Sequence, residues 1–458
     1  MSSCTVGPDY VRPTAPMSPD FREVSGWKVA EPRDEILRGA WWELFGDPEL
    51  SALEEQVAFA NQNVATAEAQ FRQARALVES ARSAFYPTAA IGVSVTGNRQ
   101  SENVGGFTVS KHSYADLTMP LSASWELDVW GRIRRSVESA GASAQASAAD
   151  LESSLLSAQA AVAQDYYLLR TVDTQRQLLD ATAVAYQKSL ELTQNRYEGG
   201  IASRADVVQA LTQLETTQAQ AIDLGVLRAQ LEHAIAVLVG TPPAELSIPV
   251  APLVTAPPPI PVGVPSELLE RRPDIAAAER LVASANAQIG VAVAAYYPTV
   301  TLSATGGFEG SHLSDWFIWP SRFFSVGPTI TETVYDGGFR AAQTAQARAA
   351  YDANVAVYRQ TVLTGFQDVE DNLATLRILA DEAEVQDRAV NAARESVEVT
   401  TNQYKAGTRS YIDVVTTQTT QLANEVTANN IHGRRLTASV LLIKALGGGW
   451  NAAELPEV

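Results

Sequence analysis

The amino-acid sequence contains an internal duplication. The stretch NRYEGGIASRADVV at 195–208 recurs as NQYKAGTRSYIDVV at 402–415, with seven of fourteen positions identical and an offset of 207 residues. Tyr86-Pro87-Thr88 recurs in the same way as Tyr297-Pro298-Thr299, 211 residues later. Matches that keep their order at a nearly constant offset indicate a duplicated structural unit. Any fold of this chain must therefore be built from two copies of one unit.

The two predicted repeats occupy residues 46–240 and 266–447. A Pro-rich run at 241–265 separates them, and this composition is typical of a stiff, extended linker. A segment at 1–45 precedes the first repeat, and a short tail at 448–458 follows the second.

Each repeat is predicted to contain a helix, two strands, one very long helix, a turn and a last helix. Tyr-Pro pairs end the first helix of each repeat, and Gly-containing stretches mark the turns. The predicted strands are 88–97, 113–127, 299–308 and 321–334, and the predicted turns are 197–205 and 404–411.

The predicted strands alternate between apolar and polar residues, as in Leu117, Met119 and Leu121 against Thr118 and Ser122. This alternation gives each strand one apolar and one polar face, which a soluble two-layer sheet also requires. The strands are about ten residues long, the length of a membrane-spanning strand, and aromatic residues cluster at their ends, as in an interfacial girdle. The sequence therefore favours membrane strands, with extracellular loops at 98–112 and 309–321.

Four strands per chain cannot close a barrel, and an open edge in lipid costs several kcal/mol for each unsatisfied backbone group. Two copies would give about eight strands, whose lumen side chains fill, whereas three copies would give about twelve and a lumen wide enough for solutes. A conduit therefore requires a homotrimer.

The longest predicted helices contain no proline between Arg132 and Arg196 or between Arg340 and Tyr404. At ~1.5 Å per residue each would extend close to 100 Å. Apolar residues in the second helix step by threes and fours, as in a coiled coil: Val355, Tyr358, Val362, Phe366, Val369, Leu373, Leu376 and Leu379. A coiled-coil spacer explains these helices but not the strands.

Composition excludes several function classes. The formal net charge of −18 argues against binding to nucleic acid, which rewards clusters of Lys and Arg. Cys4 is the only cysteine, and the four histidines are scattered, so no disulfide and no metal site is predicted. No nucleophile–base pair or phosphate-binding loop is evident. We expect no catalytic residue and no cofactor, and hence no enzyme.

The duplicated turn is the most informative candidate site. Gly200 and Gly407 let the chain reverse, and Ser203 and Ser410 stand as N-caps of the following helices, with Asp206 and Asp413 three residues on. These residues alone explain a turn and a cap. The alternative is a gate: six such turns would ring one end of a trimeric tube, where Tyr404, Arg409 and the two aspartates could bond between neighbouring helix pairs.

Five further motifs are spread over almost the whole chain: CTVGPDYVRP at 4–13, WWELFGDPEL at 41–50, WELDVWGR at 125–132, VPSELLERRPDIAAAE at 264–279 and KALGGGW at 444–450. Together they make the chain resemble the outer-membrane factors of the TolC/OprM type. The resemblance is to the lipoprotein branch that serves resistance-nodulation-division (RND) pumps.

This resemblance implies a mixed α and β membrane protein. It implies a trimer with a twelve-stranded β-barrel continued by an α-helical coiled-coil barrel, and an equatorial region built from the termini and the linker. The expected partners are a periplasmic adaptor protein, an inner-membrane RND pump and outer-membrane lipid. Cys4, which the residues alone leave as either a free thiol or a lipidation site, would carry a covalent lipid.

The gating turn of the family matches YKAGTRSYIDVV, so the resemblance assigns the periplasmic gate to Tyr404, Arg409 and Asp413, with Asp206 as the partner from the first repeat. The family often carries another acidic residue three positions after Asp413, but Thr416 stands there in this chain.

The expected function is a passive exit duct for drugs or other small toxic solutes in the bacterial outer membrane, extending into the periplasm. Two alternatives remain open at this stage: an outer-membrane component of type I protein secretion, and a non-conducting coiled-coil spacer. The sequence does not identify the exported solute.

Overall fold

The computed structural model describes residues 5–16, 18, 20–24, 39–99, 101, 113–260 and 268–457. Cys4, most of the predicted loop at 98–112 and the end of the linker therefore lie outside the described residues. A 3₁₀ turn at Trp41–Phe45 precedes the first repeat. The repeat comprises α1 Pro48–Ala60, α2 Gln62–Ser83, β1 Thr88–Ile91, β2 Ser94–Asn98, β3 Tyr114–Leu127, α3 Arg132–Glu198 and α4 Arg204–Leu238.

The second repeat comprises α5 Leu268–Arg271, α6 Pro273–Ala294, β4 Thr299–Gly310, β5 Arg322–Thr331, α7 Phe339–Lys405 and α8 Tyr411–Ala445. Three of its helices match their counterparts in the first repeat in length. The pair α2 and α6 each have 22 residues, α3 and α7 each have 67, and α4 and α8 each have 35. The offset is 211 residues for the first pair and 207 for the other two, as in the sequence matches.

The first helix of repeat one differs from the prediction because it is broken in two. Asn61 adopts an extended conformation (φ −67°, ψ 122°) between α1 and α2, and its side chain accepts hydrogen bonds from the Asn63 and Val64 backbone N–H groups. An Asn side chain that caps in this way starts a new helix. In the second repeat Pro273 occupies the first turn of α6, so α5 and α6 are separate as well.

The strands form one antiparallel sheet in which β1 and β2 both pair with β3, β3 pairs with β4, and β4 pairs with β5. The predicted single strand 88–97 is interrupted, although its register against β3 is unchanged from Ile91↔Leu121 to Ser94↔Thr118. Pro120 stands opposite the break; it accepts a bond from the Gly92 N–H at 3.0 Å but has no N–H to return.

The last strand ends three residues before the predicted Val334. Thr331 pairs with Thr299, the first residue of β4, and Pro298 precedes it. Pro298 has no N–H to extend the ladder, so β5 has no further partner on β4.

The main core lies midway along the long helices. It joins the aromatic residues of the 3₁₀ turn to α1, the middle of α3, α6, α7 and the ends of α4 and α8. The linker lies against this core: Arg170 and Arg228 donate to the carbonyls of Pro249 and Ile248 at 2.5 and 2.6 Å. Buried Asp173 pairs with both arginines, at 3.3 and 2.8 Å.

The N-terminal segment runs from the base of the sheet along the helices. The Val6 N–H donates to the Trp130 carbonyl at 3.0 Å, and Asn286 donates to the Pro8 carbonyl at 3.0 Å. Gly7 (φ 93°) passes so close to α6 that a Cβ there would overlap Gly290. Further along, Glu23 pairs with Arg377 on α7 at 2.7 Å.

Candidate functional site

The sheet segregates apolar from polar side chains. Directly opposed residues in an antiparallel pair share one face, so the register assigns each residue to a side. One face carries Ala89, Ile91 and Val95; Leu117, Met119, Leu121, Ala123, Trp125 and Leu127; Val300, Leu302, Ala304 and Phe308; and Phe324, Val326, Pro328 and Ile330. Much of this apolar face is exposed in the chain, including Ile91, Leu121, Phe324 and Val326.

The opposite face carries mainly small and polar side chains, with Tyr114 and Phe323 as its large aromatic exceptions. It contains Thr88, Ser94 and Thr96; Thr118, Ser122, Ser124 and Glu126; Thr299, Thr301, Ser303, Thr305 and Glu309; and Ser325, Thr329 and Thr331. A sheet with these two faces suits lipid on one side and water on the other.

Aromatic residues lie at both ends of the apolar face. At the helical end Trp130 stacks on Tyr297 with ring centroids 4.9 Å apart, and its Nε1–H donates to the Pro298 carbonyl at 2.8 Å. At the other end Trp316 stacks on Phe317, again at 4.9 Å. Tyr and Trp at strand ends are typical of the two membrane–water interfaces.

The two outer edges of the sheet have no partner strand in the described part of the chain. The strands β1 and β2 pair only with β3 on one side, and β5 pairs only with β4 on the other. Both edges therefore present backbone N–H and C=O groups toward whatever lies beside the chain.

The far ends of the long helices carry the two predicted turns. Gly200 (φ 75°) and Gly407 (φ 77°) adopt the left-handed conformation that favours glycine. In the first turn, the Ser203 N–H and hydroxyl both donate to Asp206, each at 2.9 Å, and the Asp206 N–H donates back to the Ser203 hydroxyl at 3.2 Å.

The second turn repeats this arrangement. The Ser410 N–H and hydroxyl donate to Asp413 at 3.1 and 2.7 Å. These hydrogen bonds, with a smaller contribution from Arg409, lower the pKa of Asp413 below its usual value. Arg409 approaches Asp413 at 4.0 Å, and both side chains are exposed.

Tyr404 is only 5% exposed and lies inside a seam between the two helical hairpins. The Arg196 guanidinium lies 4.6 Å from the Tyr404 ring centroid, and its Nη1–H donates to the Lys405 carbonyl at 3.2 Å. The Tyr404 hydroxyl lies 3.4 Å from the Thr193 hydroxyl. The ring also contacts Tyr411, with centroids 5.5 Å apart.

The structure brings the predicted gate residues to one end of the molecule but does not bond them as a group. Among the described residues, no hydrogen bond or ion pair joins Asp206 to Tyr404 or Arg409, and Asp206 is bonded to its own cap. Burial raises the pKa of Tyr411 to about 12, and the nearby charge of Asp206 adds to the rise. Asp206 therefore faces the seam without closing it.

Sequence reasoning missed the residues of the first repeat that hold Tyr404. Tyr186, Leu190 and Thr193 are buried at spacings of four and three residues on α3, and that periodicity in the sequence could have located the seam. Nothing local in the sequence pointed to Arg196.

No helix in the described part of the chain is long and apolar enough to cross a membrane. Within the same residues no group of three or more His, Cys, Asp or Glu side chains could hold a metal ion.

Comparison with known proteins identifies the family. The family model of the outer membrane efflux protein matches twice, at residues 54–241 and 264–448. The outer membrane protein TtgC of a toluene efflux pump in Pseudomonas putida is 29% identical over 457 residues, covering 98% of this chain and 93% of that protein. The probable efflux pump outer membrane protein SepC, also from Pseudomonas putida, is 31% identical over 465 residues, covering 98% and 95%.

Among solved structures, the outer-membrane channel OprN superposes with a TM-score of 0.91 at 30% identity, covering 98% of this chain and all of that one. These relatives support the efflux interpretation and give no support to protein secretion or to a non-conducting spacer. The two matches of the family model also confirm the tandem repeats. The chain is an outer-membrane component of an efflux system and belongs to the outer membrane efflux protein family.

Proposed function

We propose that three copies of the chain close a twelve-stranded β-barrel, continued into the periplasm by an α-helical barrel, as a passive exit duct for drugs or other small toxic solutes. The observation that carries this proposal is the sheet, with an exposed apolar face, a polar face and two unpaired edges. In lipid an unpaired edge costs several kcal/mol per backbone group, and closure with neighbouring copies removes that cost. Three copies give a lumen wide enough for solutes.

The internal duplication supports a closed ring. In the second repeat, α6 packs against α7 of its own repeat and against α3 of the preceding repeat. In the first repeat, α2 packs against α3 of its own repeat. By analogy, its second contact would be with α7 of another copy, whose second repeat would precede it in the ring. Exposure supports this analogy. The first turns of α7 are mostly exposed, as a surface that receives another copy would be, whereas those of α3 are mostly covered within the chain.

A second equivalent contact supports the same ring. On α8, a Cβ at Gly433 would overlap Thr171 of α3, and Asn429 donates to the Thr171 carbonyl at 2.9 Å. The repeat offset of 207 residues gives the counterparts of these two residues in the other repeat. Gly433 corresponds to Val226 on α4, and Thr171 corresponds to Ile378 on α7. Both are apolar and exposed, at 59% and 53%. Contact between them across two copies would bury both.

Intersubunit disulfides test the ring. Ser284 and Ser139 lie 2.9 Å apart between α6 and α3, and their counterparts are Gln73 on α2 and Gln346 on α7. With Cys4→Ser as background, oxidation of a Gln73→Cys/Gln346→Cys chain should give covalently linked dimers and trimers on a non-reducing gel. Each single-cysteine chain is the matched control and should stay monomeric in denaturant. A monomer band from the double variant would contradict the ring.

Conductance tests the duct. The trimer reconstituted in planar lipid bilayers should give ion-conducting channels, because the polar face of the sheet would line a water-filled lumen. If no ion conductance is measured under any condition while native mass spectrometry shows an intact trimer, the result would favour a non-conducting spacer.

We also propose that Cys4 carries a covalent lipid. Thr5, the next residue, touches Gly131 at the base of the sheet, because a Cβ on Gly131 would overlap the Thr5 side chain. Trp130 and Tyr297 lie at the same level, so an acyl chain there would start at the membrane interface. Palmitate labelling of the full-length protein should disappear in Cys4→Ser, and labelling that persists would overturn the assignment.

The proposed partners are a periplasmic adaptor and an inner-membrane RND pump, which would supply the driving force that a passive tube lacks. The same proposal assigns the narrow periplasmic end of the tube to the duplicated turns, with Tyr404, Arg409, Asp413 and Asp206 as its gate. Purification under mild cross-linking should recover an RND transporter, and recovery of an ATP-driven transporter instead would favour type I secretion.

A further inference from the structure

Arg322 is the one charged side chain that the described strands place on the apolar face of the sheet. It stands opposite Phe308, which stands opposite Met119, so all three point to the same side. The other residues that the strand pairs place on this face are apolar, aromatic or glycine. A guanidinium facing lipid is costly at the middle of a membrane and much less costly at its edge. Arg322 begins β5 at the end of the sheet remote from the helices, which we call the outer end.

The loop before β5 positions this guanidinium without neutralising it. The Arg322 Nε–H donates to the Trp319 carbonyl at 3.4 Å, and the guanidinium lies over the Trp319 ring. The ring of Phe317 packs edge-on against Phe308, with centroids 5.5 Å apart, so the loop folds toward the apolar face. Within the described residues, neither terminal nitrogen of Arg322 has a hydrogen bond or an ion pair. Their N–H groups are therefore available to an anion.

A second arginine lies at the outer end, on the opposite edge of the sheet. Arg99 follows β2, in which Val95 and Gly97 belong to the apolar face. Continued alternation puts Arg99 on the same face, and its side chain is exposed. The carboxylates at this end of β3 and β4, Asp116 and Glu309, belong to the polar face. The apolar face at the outer end thus carries positive charge only.

The proposed ring fixes the register between β5 of one copy and the first strands of the next. Thr88 pairs with Ser124 in the first repeat, and Thr299 pairs with Thr331 in the second. Residues of β1 therefore correspond to those of β4 at an offset of 211, and residues of β3 to those of β5 at an offset of 207. The strand β2 keeps the register of β1. In the ring, β5 would meet β1 and β2 of the next copy as β3 meets β4 within the chain.

This register brings the two arginines together. Leu117 pairs with Gly310 within the chain, and the two offsets convert that pair into Phe324 opposite Arg99 of the next copy. Arg322 lies two residues before Phe324 on the same face. The two arginines would therefore be diagonal neighbours, with Cα atoms about 7–8 Å apart.

We propose that Arg322 of one copy and Arg99 of the next bind a phosphate group of an outer-leaflet lipid, at three equivalent sites around the barrel. This inference rests on the proposed ring. Two guanidiniums this close repel each other until an anion lies between them, and arginine binds phosphate oxygens through paired N–H donors. In the barrel their face turns toward lipid and not toward the lumen. The anion that reaches them is therefore a headgroup, whose acyl chains would cover Phe324 and Val326.

Native mass spectrometry with added lipid A, a phosphorylated disaccharide lipid, tests the site. The parent trimer should bind three molecules, and Arg99→Gln/Arg322→Gln should stay trimeric but bind about tenfold more weakly or worse. Arg99→Lys/Arg322→Lys keeps the charges and should retain part of the binding. The matched control, Arg176→Gln/Lys188→Gln, removes two exposed charges from α3, whose neighbours α4 and α8 belong to the same chain; it should bind like the parent. Equal binding by the parent and the Arg99→Gln/Arg322→Gln variant, or no binding by the parent trimer, would overturn the proposal.

Two further comparisons separate the lipid from free phosphate and the site from the ring. Inorganic phosphate in large excess should not displace lipid A, and a phosphate-free glycolipid should not distinguish the parent from Arg99→Gln/Arg322→Gln. Displacement by inorganic phosphate would show that the site takes the anion without its lipid. If Gln73→Cys/Gln346→Cys links copies but the arginine substitutions leave lipid A binding unchanged, the ring stands and the proposed site is wrong. If that cysteine pair fails to link copies, the ring has failed and the site between copies fails with it.

Discussion

The helices α3 and α7 have the same length and the same kind of glycine N-cap, yet they differ in what covers them. The first turns of α3 are packed between α2 and α6, and alanines such as Ala144, Ala146 and Ala149 are buried there. The same turns of α7 are mostly exposed. Duplication has kept the backbone plan, and in the proposed ring the side chains would differ because the neighbour of α3 is the same chain and that of α7 a second copy.

The largest effect is expected where this comparison predicts an interface between copies. Ile378→Asp would place a carboxylate against Val226 of the next copy, and burying an unpaired charge costs several kcal/mol at each of three contacts. Native mass spectrometry should show the trimer lost. Ile378→Thr copies Thr171, the counterpart in α3, and should keep the trimer. A trimer that survives Ile378→Asp would show that α7 does not meet α4 here.

A second difference lies at the start of the repeats, where α1 has 13 residues and α5 has four. Burial raises the pKa of Glu54 on α1 to about 9, so the folded chain keeps this side chain neutral. Neither carboxyl oxygen has a hydrogen-bond partner among the described residues. The unfolded chain releases this proton above about pH 4.5, so Glu54 lowers the free energy of unfolding as pH rises from about 4.5 to about 9.

Glu54→Gln removes that dependence. Its stability relative to the parent should increase by up to ~1.4 kcal/mol per pH unit across this window. Melting temperatures of both proteins in detergent, measured by circular dichroism from pH 5 to pH 9, should diverge in favour of Gln. The exposed Glu55 is the matched control, because Glu55→Gln should show no such trend. Parallel curves for Glu54→Gln and the parent would mean that Glu54 is ionised in the fold.

The gate hypothesis compares Tyr404, which is buried, with its counterpart Tyr197, which is exposed. Arg409→Ser with Tyr404→Phe removes one exposed ion contact and one hydroxyl, about 0.5–1.5 kcal/mol, at three symmetric places. Conductance should rise several-fold and large antibiotics such as vancomycin should leak inward, with the trimer intact. Arg409→Ser with Tyr197→Phe is the control for Tyr404. If conductance is unchanged and the helices melt earlier, these residues are only turn formers.

The smallest effect on conductance is expected from making the two repeats alike at the Tyr404 seam. Arg196→Gln copies Gln403 and removes the cation above the Tyr404 ring and the bond to the Lys405 carbonyl, about 1–2 kcal/mol. We expect a melting temperature lower by a few degrees. Gln403→Arg is the reciprocal change; it should place a guanidinium over Tyr197 of the next copy and reduce conductance. An increase in conductance from Gln403→Arg would show that α7 does not meet α4 of the next copy in the way that α3 meets α8 within the chain.

Much of the architecture could be read from the sequence because period and repetition are properties of the whole chain. Alternation in Leu117, Met119 and Leu121 predicted the two-faced sheet, and the matched turns predicted the paired hairpins. The boundaries of individual strands and helices depend instead on single polar groups. The missing N–H of Pro120 interrupts the first strand, and the side chain of Asn61 divides the first helix. Neither event changes the periodicity that the prediction used.

The candidate site was predicted only in part, for a related reason. Ser203, Asp206, Ser410 and Asp413 act through bonds within four residues, which sequence spacing reveals. Arg196 acts on Tyr404 from another hairpin, 208 positions away, and no local pattern encodes that approach. Tyr197 and Tyr404 look alike in the sequence, and only the packing of α8 against α3 separates them.

The N-terminal segment has a mechanical consequence. Val6 is held at the start of α3, Arg359 on α7 donates to the Thr14 carbonyl at 3.0 Å, and the Arg22 N–H donates to Glu370 at 2.7 Å. Arg359 lies about 30 Å along α7 at ~1.5 Å per residue, and the eight steps from Val6 to Thr14 reach only about 26–29 Å when fully extended. The part of the segment from Val6 to Thr14 is therefore stretched, with almost no slack. Deleting two residues between Val6 and Thr14 would strain both attachments, whereas a pull on Val6 would be felt at Arg359 on α7.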